Sequence, residues 1–170
     1  MTSAEDFDRW YADRVESPVA DEIVRRMLAL PPDLQSTSLL SGTGLDEVVR
    51  ALDLREGQVL LDLACGRGGY GLEIVRRTGC RLVGVDFSAV AIEQARERAA
   101  ELAIEAEFQV GQLTGIGLEA ASADALMIID AFQFATPKLD ALAECLRVLR
   151  PGGRLVITTW EPLDPADERL

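Results

Sequence analysis

Val59-Leu60-Leu61-Asp62-Leu63-Ala64-Cys65-Gly66-Arg67-Gly68-Gly69-Tyr70-Gly71 is the stretch that decides the fold of this chain. The apolar run from Val59 to Leu61 carries no polar alternation, as expected of a strand covered on both faces. Asp62 closes it with a carboxylate that a buried strand does not tolerate without a partner. Ala64, Gly66 and Gly68 then place small residues where the backbone must turn tightly and come close to a ligand. The helix that follows points its first N–H groups at whatever the turn holds.

The same letters contain a literal G-x-G-x-x-G, Gly66-Arg67-Gly68-Gly69-Tyr70-Gly71, with Asp86 about 20 residues on, as in a dinucleotide site. A purely structural tight turn is a third reading. The acid ahead of the glycines tells against the dinucleotide, because a pyrophosphate gains nothing from a neighbouring carboxylate. Asp62-x-Ala64-x-Gly66-x-Gly68 instead resembles motif I of the Rossmann-like, class I S-adenosylmethionine-dependent methyltransferases, written Asp/Glu-x-Gly-x-Gly-x-Gly. Alanine stands for the first glycine and removes easy access to positive φ at position 64.

Downstream, the motifs of that family follow in order. Arg81-Leu82-Val83-Gly84-Val85-Asp86 is a second apolar strand closed by an acid, at the crevice where open α/β sheets bind ligands. Ser88 caps a helix running to Leu102 whose inner stripe is Ala91, Ile92, Ala95, Ala99 and Leu102, with Arg96, Glu97 and Arg98 toward water. Glu105 to Val110 reads as a third strand, and Ala123 to Asp130 as a fourth. Pro137-Lys138 opens a helix with Leu139, Leu142, Cys145, Leu146 and Leu149 on one face. Arg147-Val148-Leu149-Arg150-Pro151-Gly152-Gly153-Arg154-Leu155 is a further family mark: helix stop, glycine turn, fifth strand.

Upstream, residues 1–30 read as helical, with a break at Ser17-Pro18, and Trp10 and Tyr11 either anchor the first helix or join a lid. Leu30-Pro31-Pro32 stops the second helix. Thr43 is expected to cap a third helix through Leu45, Val48, Val49 and Leu52. The chain thus divides into a helical N-terminal cap or lid (1–56), a cofactor-binding core (57–160) and a polar tail (161–170).

Composition narrows the chemistry. At 170 residues, with 48% hydrophobic and 27% charged residues, the chain is one globular domain. A net charge of −12 disfavours a nucleic-acid groove. The absence of histidine excludes an imidazole base and any Ser-His or Cys-His pair. Three cysteines without C-x-x-C spacing suit reduced thiols and a cytoplasmic location, and no metal site is expected. No stretch approaches the ~20 apolar residues of a membrane span.

The resemblance implies an α/β, Rossmann-like doubly wound sheet, mostly or all parallel, with five strands in the order 3-2-1-4-5. It implies S-adenosylmethionine as cofactor, S-adenosylhomocysteine as product, and a small-molecule methyl acceptor rather than nucleic acid or membrane. By the same resemblance, Leu40 and Ser41 fold over the methionine end and Asp62 organises its amino group. Ala64, Gly66 and Gly68 admit its close approach. Asp86 takes the ribose hydroxyls, Phe87 and Leu113 sandwich the adenine, and Gln112 reads its edge where relatives carry an aspartate. Asp130 lies beside the transferred methyl and steers the acceptor or takes its proton, with Tyr11 and Tyr70 as other candidate bases. A strand-end cap is the plain alternative for Asp130. The family's sheet continues past the fifth strand, whereas this chain stops there. A truncated piece of a longer enzyme, a homodimer or partner covering the open edge, and a minimal fold all fit that departure. A non-catalytic cofactor-binding unit is the competing function.

Overall fold

The structure is a computed structural model and describes residues 3–15, 18–35 and 37–160. Helices α1 (Ala4–Val15), α2 (Pro18–Met27) and α3 (Gly42–Leu52) precede the sheet. Then follow β1 (Val59–Leu63), α4 (Gly69–Thr78), β2 (Arg81–Asp86), α5 (Ala89–Glu101), β3 (Ala106–Val110) and β4 (Ala123–Ile128). A single 3-10 turn (Phe132–Phe134), α6 (Lys138–Val148) and β5 (Leu149–Ile157) complete the described elements. The expected polar tail and Ser17 lie outside the described residues, while α2 starts at Pro18, the second residue of the expected break.

The five strands lie in the order β3-β2-β1-β4-β5 and every pairing is parallel. Alternation along the strands feeds two cores. Leu60, Leu82, Phe108, Ala125 and Met127 face α3, α4 and α5, while Leu61, Leu63, Val85, Leu126 and Ile128 face α6. A sheet covered on both faces explains the unbroken apolar runs.

Side-chain caps set the helix starts. Ser88 Oγ accepts from Ala91 N–H as expected. At α3 the cap is Ser41, which accepts from Gly44 N–H, and not Thr43, which lies inside the first turn. Ser41 has the extended backbone (φ −74°, ψ 167°) that an N-cap needs.

Three further expectations change. Ala64 adopts φ 56° despite its Cβ, because the crowded strand-to-helix turn over-determines it. In α6 the buried face is Ala141, Cys145 and Val148, while Leu139 and Leu146 are exposed, since the helix packs by its narrow, small-residue side. Arg98 turns inward and donates to the Asp33 carbonyl. The Pro151-Gly152-Gly153 turn is a bulge within β5. Ala123 pairs with Leu149 and Ala125 with Arg154, so the extra residues loop out before the strand resumes. Beyond β5 no strand pairs with the sheet edge among the described residues.

Candidate functional site

The β1–α4 turn is left-handed at three positions, with φ of 56° at Ala64, 52° at Gly66 and 75° at Gly68. A Cβ on Gly68 would meet the Phe108 ring at 3.1 Å, and one on Gly66 would meet the Tyr11 hydroxyl at 2.7 Å. Glycine is required at both for conformation and for space.

Two carboxylates flank this turn, from the ends of neighbouring parallel strands. Asp62 is buried, and the Gly71 N–H of α4 donates to it. A Cβ at Gly71 would stand 2.8 Å from Asp62 Oδ2, so the first turn of α4 comes this close only as glycine. Asp86, equally buried, accepts from Gly66 N–H at 2.8 Å through Oδ2 and from Ser88 N–H at 2.9 Å through Oδ1. Burial pushes Asp62 well above the usual carboxylate range, and the nearby Asp86 adds to it. Burial also raises Asp86, opposed by the N–H groups of Ser88 and Gly66. Among the described residues no Lys or Arg acts on either acid. Burial, then Asp62 and Asp86, raises the Cys65 thiol above its normal range.

Helix α1 closes over this turn. Tyr11 is buried against Gly66 and interacts with Thr37. Its phenol is pushed well above the ordinary range by burial and then by Asp86. Asp8 accepts from Ser88 Oγ and, at 3.3 Å, from Val90 N–H, adding a second cap to α5. Gln94 Nε2 donates to the Tyr11 carbonyl at 3.2 Å. Phe7 meets Phe87 edge-on at 5.0 Å and Phe134 at 5.9 Å between ring centres. Arg67, in the turn itself, reaches outward to Asp21 (2.6 Å) and Gln35 (2.5 Å), tying the turn to α2.

Asp130 belongs to a second group, at the end of β4. Its backbone is left-handed (φ 51°). Oδ2 accepts from Ser38 Oγ (2.9 Å) and Leu39 N–H (3.0 Å), while Oδ1 accepts from Thr158 Oγ1 (2.8 Å). Tyr70, in the first turn of α4, donates to the Leu40 carbonyl at 2.7 Å.

The structure therefore brings Asp62, Ala64, Gly66, Gly68 and Asp86 together, and joins Leu40 to Asp130 through Ser38 and Leu39. Ser41 is adjacent in the chain but its hydroxyl caps α3 and is committed there. Phe87 is half-buried against Phe7 and lies at the end of β2. Gln112 is exposed after β3, in a bridge with Gly115, and Leu113 packs its side chain against the α6-side core. Gly111 N–H donates to the Asp86 carbonyl at 2.9 Å, which holds this β3 loop beside β2. Asp8, Thr37, Ser38 and Thr158 escaped the sequence reading.

Chemically, the site offers buried carboxylates awaiting positive charge or hydroxyl donors, beside a glycine turn whose close approach is taken in this structure by Tyr11 and Phe108. It holds no nucleophile–base pair among the described residues. No group of three or more His, Cys, Asp or Glu is placed to hold a metal ion among them, and all three thiols are free. S-adenosylmethionine fits this donor set, because its ammonium, sulfonium and ribose hydroxyls complement two buried acids that lack cationic partners.

A family described as "Methyltransferase domain" matches residues 60–153. A 37.1 kDa protein of transposon TN4556 from Streptomyces fradiae is 41% identical over 118 residues, 66% of this chain and 34% of that protein. The demethylmenaquinone methyltransferase of Beutenbergia cavernae is 32% identical over 154 residues, 85% of this chain and 59% of that enzyme. The solved structure of a geranyl diphosphate methyltransferase with GPP and sinefungin superposes with a TM-score of 0.61 at 29% identity, over 71% of this chain and 45% of that one. The chain thus spans between a third and three-fifths of the length of these curated relatives.

Proposed function

The chain belongs to the methyltransferase-domain family, of the class I, Rossmann-like, S-adenosylmethionine-dependent type, and from that premise we propose that it binds S-adenosylmethionine over the ends of β1 and β2 for methyl transfer to a small-molecule acceptor. The observation that carries this is the pair of buried carboxylates, Asp62 and Asp86, set without cations around a left-handed turn.

The cofactor, when bound, supplies a methyl group already activated by the sulfonium for in-line displacement. The protein's contribution is alignment and exclusion of water. Asp62 takes the amino end, whose positive charge favours the carboxylate form that burial opposes. Asp86 keeps its second lone pairs for the ribose hydroxyls while its first ones hold Gly66 and Ser88 in place. Phe87 and Leu113 line the adenine, and the Gln112 amide both donates and accepts at its edge. Residues 1–56 serve as the cap, with α1 and the 37–41 segment excluding water, and residues 57–160 as the binding core. Asp130, whose carboxylate already accepts three hydrogen bonds, orients the cap and the acceptor rather than collecting a proton.

A second reading has its own observation. The outer edge of β5 is unpaired among the described residues and Leu139 and Leu146 stand exposed on α6, which suits a cofactor-binding unit that needs a partner or further strands for activity.

Calorimetric titration with S-adenosylmethionine and, separately, NADH tests the proposal. Micromolar binding of the first alone supports it. NADH binding, or a folded chain that takes neither ligand, sinks it. Methyl transfer to no acceptor despite tight binding would favour the second reading.

A further inference from the structure

Segment 38–40 spans the two elements that flank the end of β1. On one side Tyr70 of α4 donates to the Leu40 carbonyl at 2.7 Å. On the other, Asp130, just past β4, accepts from Ser38 Oγ and Leu39 N–H at 2.9 and 3.0 Å. Asp130 is itself held from β5. Thr158 Oγ1 donates to its Oδ1 at 2.8 Å and accepts from its N–H at 3.0 Å, a reciprocal pair that fixes a left-handed backbone, which aspartate adopts more readily than most residues. The carboxylate thus relays β5 to the segment through charge-assisted hydrogen bonds.

Burial holds this segment at one end only, where Leu40 packs partly buried against the core. Leu39 is 58% exposed, so its side chain contributes little apolar area. A segment whose middle is secured mainly by polar contacts opens locally far below the cost of global unfolding. Ser38 also accepts from Leu40 N–H at 3.1 Å, so one hydroxyl serves both the segment's own turn and its attachment to Asp130.

We propose that Ser38 and Thr158 are positioning residues of a clasp, closed through Asp130, whose opening sets how fast ligand leaves the crevice over β1. The exit role rests on the cofactor reading above, whereas the clasp itself stands on these hydrogen bonds alone.

Two measurements test it. Hydrogen exchange of the unliganded chain reports the clasp without any ligand. Ser38→Ala and Thr158→Val each accelerate exchange of the Leu39 and Leu40 amides about tenfold, the loss of roughly one charge-assisted bond, while α5 amides are unchanged. Thr158→Ser, which keeps the hydroxyl, restores protection. Stopped-flow dissociation of S-adenosylhomocysteine from the same variants is about tenfold faster than from the unsubstituted chain, with affinity within about threefold because entry quickens too. Unchanged exchange at Leu39 and Leu40 overturns the clasp. Accelerated exchange with unchanged dissociation overturns its gating role. Failure of the unsubstituted chain to bind S-adenosylhomocysteine overturns the cofactor reading, and the exit role with it, while the exchange data still decide the clasp.

Discussion

The acids at the ends of β1 and β2 and the acid at the end of β4 sit in opposite circumstances. Asp62 and Asp86 are buried, mutually repelling and without a cation among the described residues. Asp130 is half-buried and supplied with donors from both a loop and a strand. The difference teaches how to sort carboxylates that look alike in sequence. One left short of positive charge in a dry crevice is a place for a ligand. One whose lone pairs are already engaged by its own fold is a structural joint that the chemistry borrows.

The contrast is easiest to break at Asp86. Asp86→Ala is expected to weaken S-adenosylmethionine binding by more than about a hundredfold, measured by calorimetry, since it removes the ligand contact and strands two buried N–H groups. A change of less than tenfold would move Asp86 into the same class as Asp130. Gly68→Ala comes next. It forces a methyl group against Phe108 at a φ of 75°, and a loss of about 2 kcal/mol is expected in urea unfolding.

Asp62→Asn should stabilise the unliganded chain by about 1 kcal/mol at neutral pH, because it relieves an uncompensated buried charge and keeps an acceptor for Gly71 N–H. The pH dependence follows the same logic. The folded pKa values of Asp62 and Asp86 lie above those of the unfolded chain. Their stabilising contribution is therefore complete below about pH 4 and is lost as the pH climbs through the folded values. Urea midpoints measured across that range should fall less steeply in Asp62→Asn than in the unsubstituted chain, and parallel slopes would count against the assignment. Cofactor affinity should run the other way and strengthen with pH.

Smaller effects sharpen the other side. Asp130→Asn keeps one carbonyl acceptor for Ser38 and Leu39 and is expected to change equilibrium cofactor affinity by only about threefold. Ala64→Gly relieves a left-handed alanine at some entropic cost, for a net gain of about 0.5 kcal/mol in the thermal midpoint analysis. A loss of stability there would mean that the alanine methyl packs usefully.

What was legible in the sequence was whatever local pattern determines. The strand Arg81–Asp86 and the helix capped by Ser88 follow from apolar runs, caps and glycines, whereas the order of the sheet comes from the family resemblance of the motifs. The crevice acids stood out because each terminates an apolar run. Local pattern did not separate Ser41 from Thr43 as a cap, since both lead into the same helix and only the backbone at Ser41 decides. Nor did it reveal that Ser38 would meet Asp130, or Asp8 meet Ser88. These partners lie 92 and 80 residues apart and belong to no shared motif. The exposed Leu139 and Leu146 mark a further limit, because helical spacing shows that a stripe exists and not which part of it packs.

The seating of α1 has a consequence for the order in which the molecule assembles. Asp8 and Tyr11 find their partners on α5, across about eighty residues of intervening chain. Those partners take shape only once β2 has joined the sheet and Ser88 has started its helix. Such distant pairing is slow relative to local structure. A segment near the front of the chain therefore settles late, and until it does Phe7, Trp10 and Tyr11 remain an aromatic surface open to other chains.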